Sequence, residues 1–161
     1  MKSLIVFSST TGNTRKLAET AYETLPGERT LQPVAEAGSP EGYDLVCVAF
    51  HFKAGKPDPA TQKYLAEIGR QKLILIATHG AAKDSDHARK GMQAAREMAA
   101  DADILATFSC QGEVDAAFME KAAAKPQPPP WLGDAPSAKG HPDETDLAQL
   151  KNLLIKTVAA L

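Results

Sequence analysis

The sequence predicts an α/β domain in which a five-stranded parallel sheet carries helices on both faces. Short apolar runs recur along the chain and segments of helical periodicity separate them. The composition, with 43% hydrophobic and 24% charged residues, is that of a globular protein. Strands that alternate with helices form parallel sheets through right-handed crossovers. We expect the strand order 2-1-3-4-5, numbered along the chain, in a single domain of residues 1–161.

The first strand and the first helix enclose a turn rich in hydroxyl groups. Residues 4–7 are consecutive apolar residues, and a helix follows, with apolar side chains at the spacing of one helical face: Leu17, Ala18, Ala21, Tyr22 and Leu25. The turn therefore lies at a helix N-terminus, where free N–H groups and the helix dipole favour an anion.

The later elements follow the same alternation. Strands are expected at residues 29–34, where the signal is weak, and at 43–50, 72–77 and 104–109. Helices are expected at residues 59–68, 85–100 and 115–124. A last helix begins near Asp143, after Pro142. Its apolar stripe comprises Leu147, Leu150, Leu154, Val158 and Leu161.

The first turn predicts a binding site for a phosphate monoester. Its hydroxyl groups belong to Ser9, Thr10, Thr11 and Thr14. Gly12 allows the backbone to approach a ligand closely. The turn lacks the lysine of a Walker A loop and the three glycines of a dinucleotide fingerprint. The alternative is an ordinary surface turn in which Asn13 or Thr14 caps the helix, a role that requires fewer hydroxyl groups.

Two further segments flank this turn if the strand order is correct. Ligands of such sheets bind at the carboxyl ends of the strands, at the switch point between the first and third strands. Residues 50–58 follow the third strand and include Phe50, His51 and Phe52, whose aromatic rings suit a flat heterocycle. Residues 78–82 follow the fourth strand, and their small side chains leave backbone N–H groups free to meet a ring edge. Phe50 is equally consistent with a core position.

Composition excludes several classes of function. A net charge of −2 does not favour nucleic acid as a partner. The N-terminus has neither a signal peptide nor a membrane span, so we expect a cytoplasmic protein. Two cysteines are too few for a disulfide framework. Asp84, Asp86 and His87 lie at a predicted helix start, where aspartates cap the helix, so we expect no metal.

Two features outside these loops have alternative interpretations. Residues 126–140 contain five prolines around Trp131 and cannot form a helix or a central strand. They form either a semi-rigid connector anchored by Trp131 or a lid that touches the ligand or a partner. Cys110, at the end of the fifth strand, is interpreted as a core residue, since no nearby cysteine could resolve it in redox chemistry; Cys47 is expected to be buried.

The first turn resembles the FMN-phosphate loop of flavodoxins, and the resemblance extends over essentially the whole chain. It is closest to a branch common in anaerobes, which has a glycine-containing loop after the third strand and three further motifs. These motifs are Ser85-Asp86-His87-Ala88, Cys110-Gln111-Gly112 and His141-Pro142-Asp143-Glu144. That branch often has tryptophan at the position of His51 and an acidic residue at the position of Lys53, and many flavodoxins have a tyrosine in the third loop, which is absent here.

The resemblance implies a flavodoxin-like fold and a noncovalently bound FMN. The side chains of Ser9, Thr11 and Thr14 and the backbone of Thr10, Gly12 and Asn13 would hold the phosphate. The ring contacts would come from Phe50, His51, Phe52, Lys53, Gly55, Thr78, His79, Gly80 and Ala81. Gly55 is either a peptide that reorients towards the reduced flavin N5 or a plain turn residue.

The expected function is electron transfer between redox proteins through weak, transient contacts. Typical flavodoxins are strongly acidic, whereas this chain places Lys53, Lys56, His51 and His79 near the flavin, so the anionic reduced flavin should be less disfavoured. The alternative is an FMN-dependent NAD(P)H oxidoreductase, or the flavin subunit of a reductase, with His51 or His79 as proton donor. A third possibility is an interaction module without flavin.

Overall fold

Five parallel strands and one short side strand form the sheet in the computed structural model, which describes residues 1–161. The strands are β1 (Lys2–Phe7), β2 (Glu28–Pro33), β3 (Leu45–Lys53), β4 (Lys56–Pro57), β5 (Lys72–His79) and β6 (Asp103–Gln111). The parallel strands lie in the order β2-β1-β3-β5-β6. The predicted order 2-1-3-4-5 is confirmed, since β4 is the only addition.

Five α-helices connect the strands and follow the last one. They are α1 (Asn13–Thr24), α2 (Pro59–Glu67), α3 (Asp86–Met98), α4 (Ala116–Ala123) and α5 (Glu144–Ala159). The side chains of Asp58, Ser85, Asp115 and Asp143 accept N–H bonds at the starts of α2, α3, α4 and α5. The predicted helix start at Asp143 is confirmed. No helix has both the length and the apolar character needed to cross a membrane.

Two apolar cores lie on opposite faces of the sheet because successive strand side chains alternate between the faces. Ile5 and Cys47 join Leu17 of α1 and Leu150 of α5 on one face. The other face joins the alternate residues of the same strands to Leu65 of α2 and to α3. The helices thereby cover both faces of the sheet, and the carboxyl ends of the strands remain available for loops.

The ends of several elements differ from the sequence prediction. β3 continues past residue 50 to Lys53, and Phe52 and Lys53 pair with β4 in an antiparallel hairpin. β5 and β6 run on to His79 and Gln111, which pair with each other at the end of the ladder. Most of the added residues are polar or charged, so the apolar pattern stops before the backbone pairing does. Leu161 lies outside α5 and is half exposed, so its predicted place on the apolar stripe is wrong.

Candidate functional site

The turn after β1 presents a row of free backbone donors. No protein acceptor receives a hydrogen bond from the N–H groups of Ser9, Thr10, Thr11, Asn13 or Thr14. These groups lie at the N-terminus of α1, where the helix dipole adds positive potential. Gly12 has φ 95°, in the left-handed region that glycine adopts without strain, and its N–H donates to Ser9 Oγ at 3.1 Å. The arrangement suits an anion with several oxygen atoms.

The hydroxyl groups of the turn face different surroundings. Thr10 and Thr11 are exposed. Thr14 is almost fully buried, and its Oγ1 lies 2.9 Å from Oγ1 of Thr78 at the end of β5. Ser9 Oγ already accepts the Gly12 N–H. Only one of the two hydroxyl groups donates its proton in this bond. The other, on either Thr14 or Thr78, keeps an O–H group that can donate to a ligand.

The segment after β3 is a tight hairpin and not an open loop. Ala54 (φ 52°) and Gly55 (φ 75°) form its two-residue turn, and the positive φ expected at Gly55 is present. The Nδ1 atom of His51 donates to the carbonyl of Ser8 at 3.2 Å, which joins the hairpin base to the phosphate turn. His51 thus lies beside the cradle, with about a quarter of its side chain exposed.

The two phenylalanines of this segment occupy different positions. Phe50 is fully buried in the core between the sheet and helices α2 and α3, so its side chain is a core group. Phe52 is partly exposed and lies 5.1 Å from His79 and 5.9 Å from His87, measured between ring centroids. The Phe52 ring therefore packs over the end of β5.

His79 is buried with one nitrogen unpaired. Its Nδ1 donates to the Ala81 carbonyl at 2.9 Å, while Nε2 has no hydrogen-bond partner. Burial is the main cause that lowers the pKa of His79 to about 4; the Ala81 bond acts in the opposite direction, and the nearby His87 lowers the pKa further. His79 is thus neutral at neutral pH. The lowered pKa does not support the predicted role of His79 as a cation, and its role as a proton donor stays a prediction.

A polar network that the sequence did not reveal holds the loop after β5. The Ala82 N–H donates to Asp134 Oδ2 at 2.9 Å, and Gln111 Nε2 bonds Ser137 Oγ and lies 3.4 Å from the carbonyls of Gly80 and Asp134. Trp131 packs against Gly80, where a Cβ would lie 3.1 Å from its Cε3. The Pro-rich segment is therefore anchored to this loop through Trp131 and Asp134, as the connector interpretation predicts.

The remaining chemically active side chains are engaged in structural contacts. His141 Nδ1 donates to Asp146 at 2.6 Å, and Asp143 and Asp146 complete a capping box at the start of α5. Asp86 pairs with Arg89 at 2.5 Å. Burial raises the pKa of Cys47 to about 12 and raises that of Cys110, to which the Asp146 charge also contributes, so neither thiol is reactive at neutral pH. Both cysteines occupy the expected core positions.

These features fit a flavin phosphate and a flat ring. Five free N–H groups and two exposed hydroxyl groups can surround a phosphate. The turn itself contains no lysine or arginine. Beside them, the hairpin and the loop after β5 present aromatic groups and the unpaired His79 Nε2. A doubly wound sheet with an anion cradle at its switch point defines a nucleotide- or flavin-binding class of protein.

The chain belongs to the flavodoxin family, whose members bind flavin. A family model described as a flavodoxin domain matches residues 4–155. The chain is similar to two proteins named "Flavodoxin-like domain-containing protein BilS". The protein from Clostridioides difficile (strain CD3) is 28% identical over 172 residues, covering 97% of this chain and 98% of the relative. The protein from Clostridium symbiosum (strain WAL-14163) is 31% identical over 185 residues, covering 99% and 97%.

Solved structures show the same fold. Oxidised Flavodoxin 2 from Bacillus cereus matches with a TM-score of 0.68 and 16% identity, over 100% of both chains. A flavoprotein from Lactobacillus acidophilus NCFM, solved in complex with FMN, matches with a TM-score of 0.54 and 16% identity, over 74% of this chain and 97% of that one. The flavodoxin-like fold predicted from the sequence is confirmed.

Proposed function

We propose that this protein binds FMN noncovalently and carries electrons between redox proteins of the cytoplasm. The observation that carries the proposal is the row of free N–H groups at the start of α1, which lies at the carboxyl edge of the sheet. A phosphate monoester satisfies these donors, whereas water alone would leave them without a fixed acceptor. The cradle therefore favours FMN over riboflavin, which lacks the phosphate.

The surroundings of the ring support a carrier that exchanges electrons through an exposed edge. FMN supplies the one- and two-electron chemistry, and the protein sets its potentials through charge, hydrogen bonding and stacking. The hairpin carries Lys53 and Lys56, both exposed, while the loop after β5 is held rigidly by Asp134 and Gln111. The sequence contains no dinucleotide fingerprint that would bring NAD(P)H to this ring.

The test combines a binding titration with a turnover assay. Trp131 is the only tryptophan and reports flavin binding to the apoprotein through its fluorescence. We expect FMN to bind at least about tenfold more tightly than riboflavin, since each charged hydrogen bond contributes about 1.5 to 3 kcal/mol. Equal affinities would show that the turn after β1 does not bind the phosphate.

The turnover assay separates a carrier from a reductase. A carrier loaded with FMN should be reduced only slowly by NADH or NADPH alone and rapidly once a flavodoxin reductase is added. Fast oxidation of NADH or NADPH without a second protein would instead support the oxidoreductase alternative. A purified protein that neither absorbs in the blue nor binds added FMN would support an interaction module without flavin.

A further inference from the structure

We propose that the β3–β4 hairpin, together with the adjacent face of α3, is a docking surface for an acidic redox protein. This surface, the basic hairpin face, comprises Lys53, Lys56 and Lys90. The proposal rests on the proposed function, because it places the partner beside the flavin edge. The hairpin geometry, the charges and the position of the surface each support it.

The hairpin turn brings two lysines directly opposite each other. Lys53 and Lys56 are paired residues of the antiparallel ladder, joined by the two-residue turn Ala54-Gly55. Residues directly opposite on such a ladder lie on the same face, and like charges in that position repel each other. Ala54 is also the only residue other than glycine with a positive φ. The turn therefore concentrates positive charge at one tip at some cost to its stability.

No acidic group of the protein neutralises this charge. Neither lysine forms a salt bridge, and both side chains are exposed. The nearest acidic residue along the chain, Asp58, is buried, and its carboxylate accepts bonds from the side chain and N–H of Thr61. The field of the two lysines is thus available to an external anion.

The neighbouring helix extends the positive surface. His87 packs against Gly55, where a Cβ would lie 3.4 Å from His87 Cε1. Lys90 follows one helical turn later on α3, is exposed and has no ion-pair partner. Arg89, between them, is paired with Asp86. Three unpaired lysines therefore border one hairpin and one helical turn, an area suited to the acidic patch of a small protein.

The position of this surface links it to electron transfer. The base of the hairpin contacts the phosphate turn through His51 and Ser8, and Phe52 lies over the end of β5. A partner attracted to the lysines would stand at the edge of the flavin ring. Complementary charge steers such encounters and raises their rate without a large interface, as transient exchange requires.

The experiment uses oxidants of opposite charge as probes of the field at the flavin edge. The FMN-loaded protein is reduced and then reoxidised in a stopped-flow instrument by hexacyanoferrate(III), an anion, or by hexaammineruthenium(III), a cation. Two oxidant ions accept the two electrons of each reduced flavin, and its protons pass to the buffer. The K53E/K56E variant is compared with K151E/K156E, which has the same change in net charge on α5.

We expect the rate with hexacyanoferrate(III) to fall roughly tenfold in K53E/K56E at low ionic strength and the rate with the ruthenium complex to rise. Added salt should diminish both effects, and K151E/K156E should resemble the parent. Equal rates in the parent and K53E/K56E, or equal changes in both variants, would overturn the proposal.

A second measurement does not depend on flavin. A fluorescein-labelled deca-glutamate peptide is titrated with each protein at low ionic strength and followed by anisotropy. We expect K53E/K56E to bind the peptide at least about fivefold more weakly than K151E/K156E. Equal binding by the two variants would overturn the docking surface even if FMN binds. Weaker binding only by K53E/K56E would support the surface even if FMN failed to bind and the proposed function were abandoned.

Discussion

The ring of Phe52 lies directly on the backbone of Gly91 in the middle of α3. A Cβ atom built on Gly91 would lie 2.1 Å from Cε2 and 2.3 Å from Cζ of that ring, far inside van der Waals contact. Glycine lowers the stability of a helix interior relative to alanine by about 1 kcal/mol. The close approach of the hairpin explains why the helix contains it.

Gly91→Ala should therefore destabilise the protein although alanine favours the helix. In a Phe52→Ala background the obstacle is absent, and the same substitution should stabilise the protein by up to about 1 kcal/mol. Urea denaturation of the four proteins of this double-mutant cycle measures both values. An effect of the same sign in both backgrounds would show that the hairpin does not pack on Gly91.

This contact also shows how far the sequence determines the fold. Most strands and helices and the phosphate turn follow from local patterns, because apolar runs, helical periodicity and the hydroxyl-rich turn all lie within short segments. The sequence predicts a loop where the β3–β4 hairpin forms, because Lys53 and Lys56 interrupt the apolar pattern and the pairing depends on the Ala54-Gly55 turn. The two charged lysines beside the turn do not favour a strand.

The inner supports of the site required long-range contacts and had no local signal. Gln111 belongs to the Cys-Gln-Gly motif, yet its bond to Ser137 joins residues far apart in sequence. Asp134 lies in the Pro-rich segment, whose composition indicates a connector without indicating what it holds. A glycine at position 80 is consistent with any turn until the ring of Trp131 is placed against it.

Thr14→Val should weaken FMN binding while riboflavin binding changes little. The valine keeps the shape of the side chain but removes a hydroxyl group that can donate to the phosphate, which should cost about 1.5 to 3 kcal/mol, or roughly 10- to 150-fold in affinity. Trp131 fluorescence during titration of the apoprotein measures this change.

Thr78→Val is the matched control for Thr14→Val. It breaks the same Thr14–Thr78 bond but leaves the Thr14 hydroxyl in place. We expect both variants to lose similar stability, with the larger loss of FMN affinity in Thr14→Val. If riboflavin and FMN weakened equally in Thr14→Val, the hydroxyl would serve the packing of α1 and not the phosphate.

The buried His79 should make the apoprotein sensitive to acid. Its pKa is about 4 in the folded protein, below the usual value of 6.5, so between these values the unfolded chain binds more protons. Stability is then complete above about pH 6.5 and is lost as the pH falls towards 4, by about 3 kcal/mol in total from this group. Burial lowers the pKa of His87 as well, which acts in the same direction.

His79→Gln should flatten this part of the stability curve. Free energies of unfolding of the apoprotein are measured with urea from acid to neutral pH for the parent and the variant. The difference in the free energy of unfolding between the parent and the variant should change by about 3 kcal/mol between pH 4 and pH 6.5. The contribution of His87 is present in both proteins and cancels in this difference. Parallel curves would mean that His79 is accessible to solvent and titrates normally.

His51 should help to hold the phosphate turn beside the hairpin. Its Nδ1 donates to the Ser8 carbonyl at 3.2 Å, and only about a quarter of its side chain is exposed. A hydrogen bond of this kind contributes about 0.5 to 1.5 kcal/mol. His51→Phe keeps a planar ring but removes the donor, so it should weaken FMN binding by up to about tenfold.

His51→Asn is the matched control, because its side-chain amide can donate to the Ser8 carbonyl from the position of Nδ1. It should therefore bind FMN more tightly than His51→Phe does. Titration of both apoproteins with FMN, followed through the fluorescence of Trp131, measures the difference. If the two variants bind FMN equally, the bond to Ser8 does not support the phosphate turn, and the hairpin base contributes to the site only through its backbone.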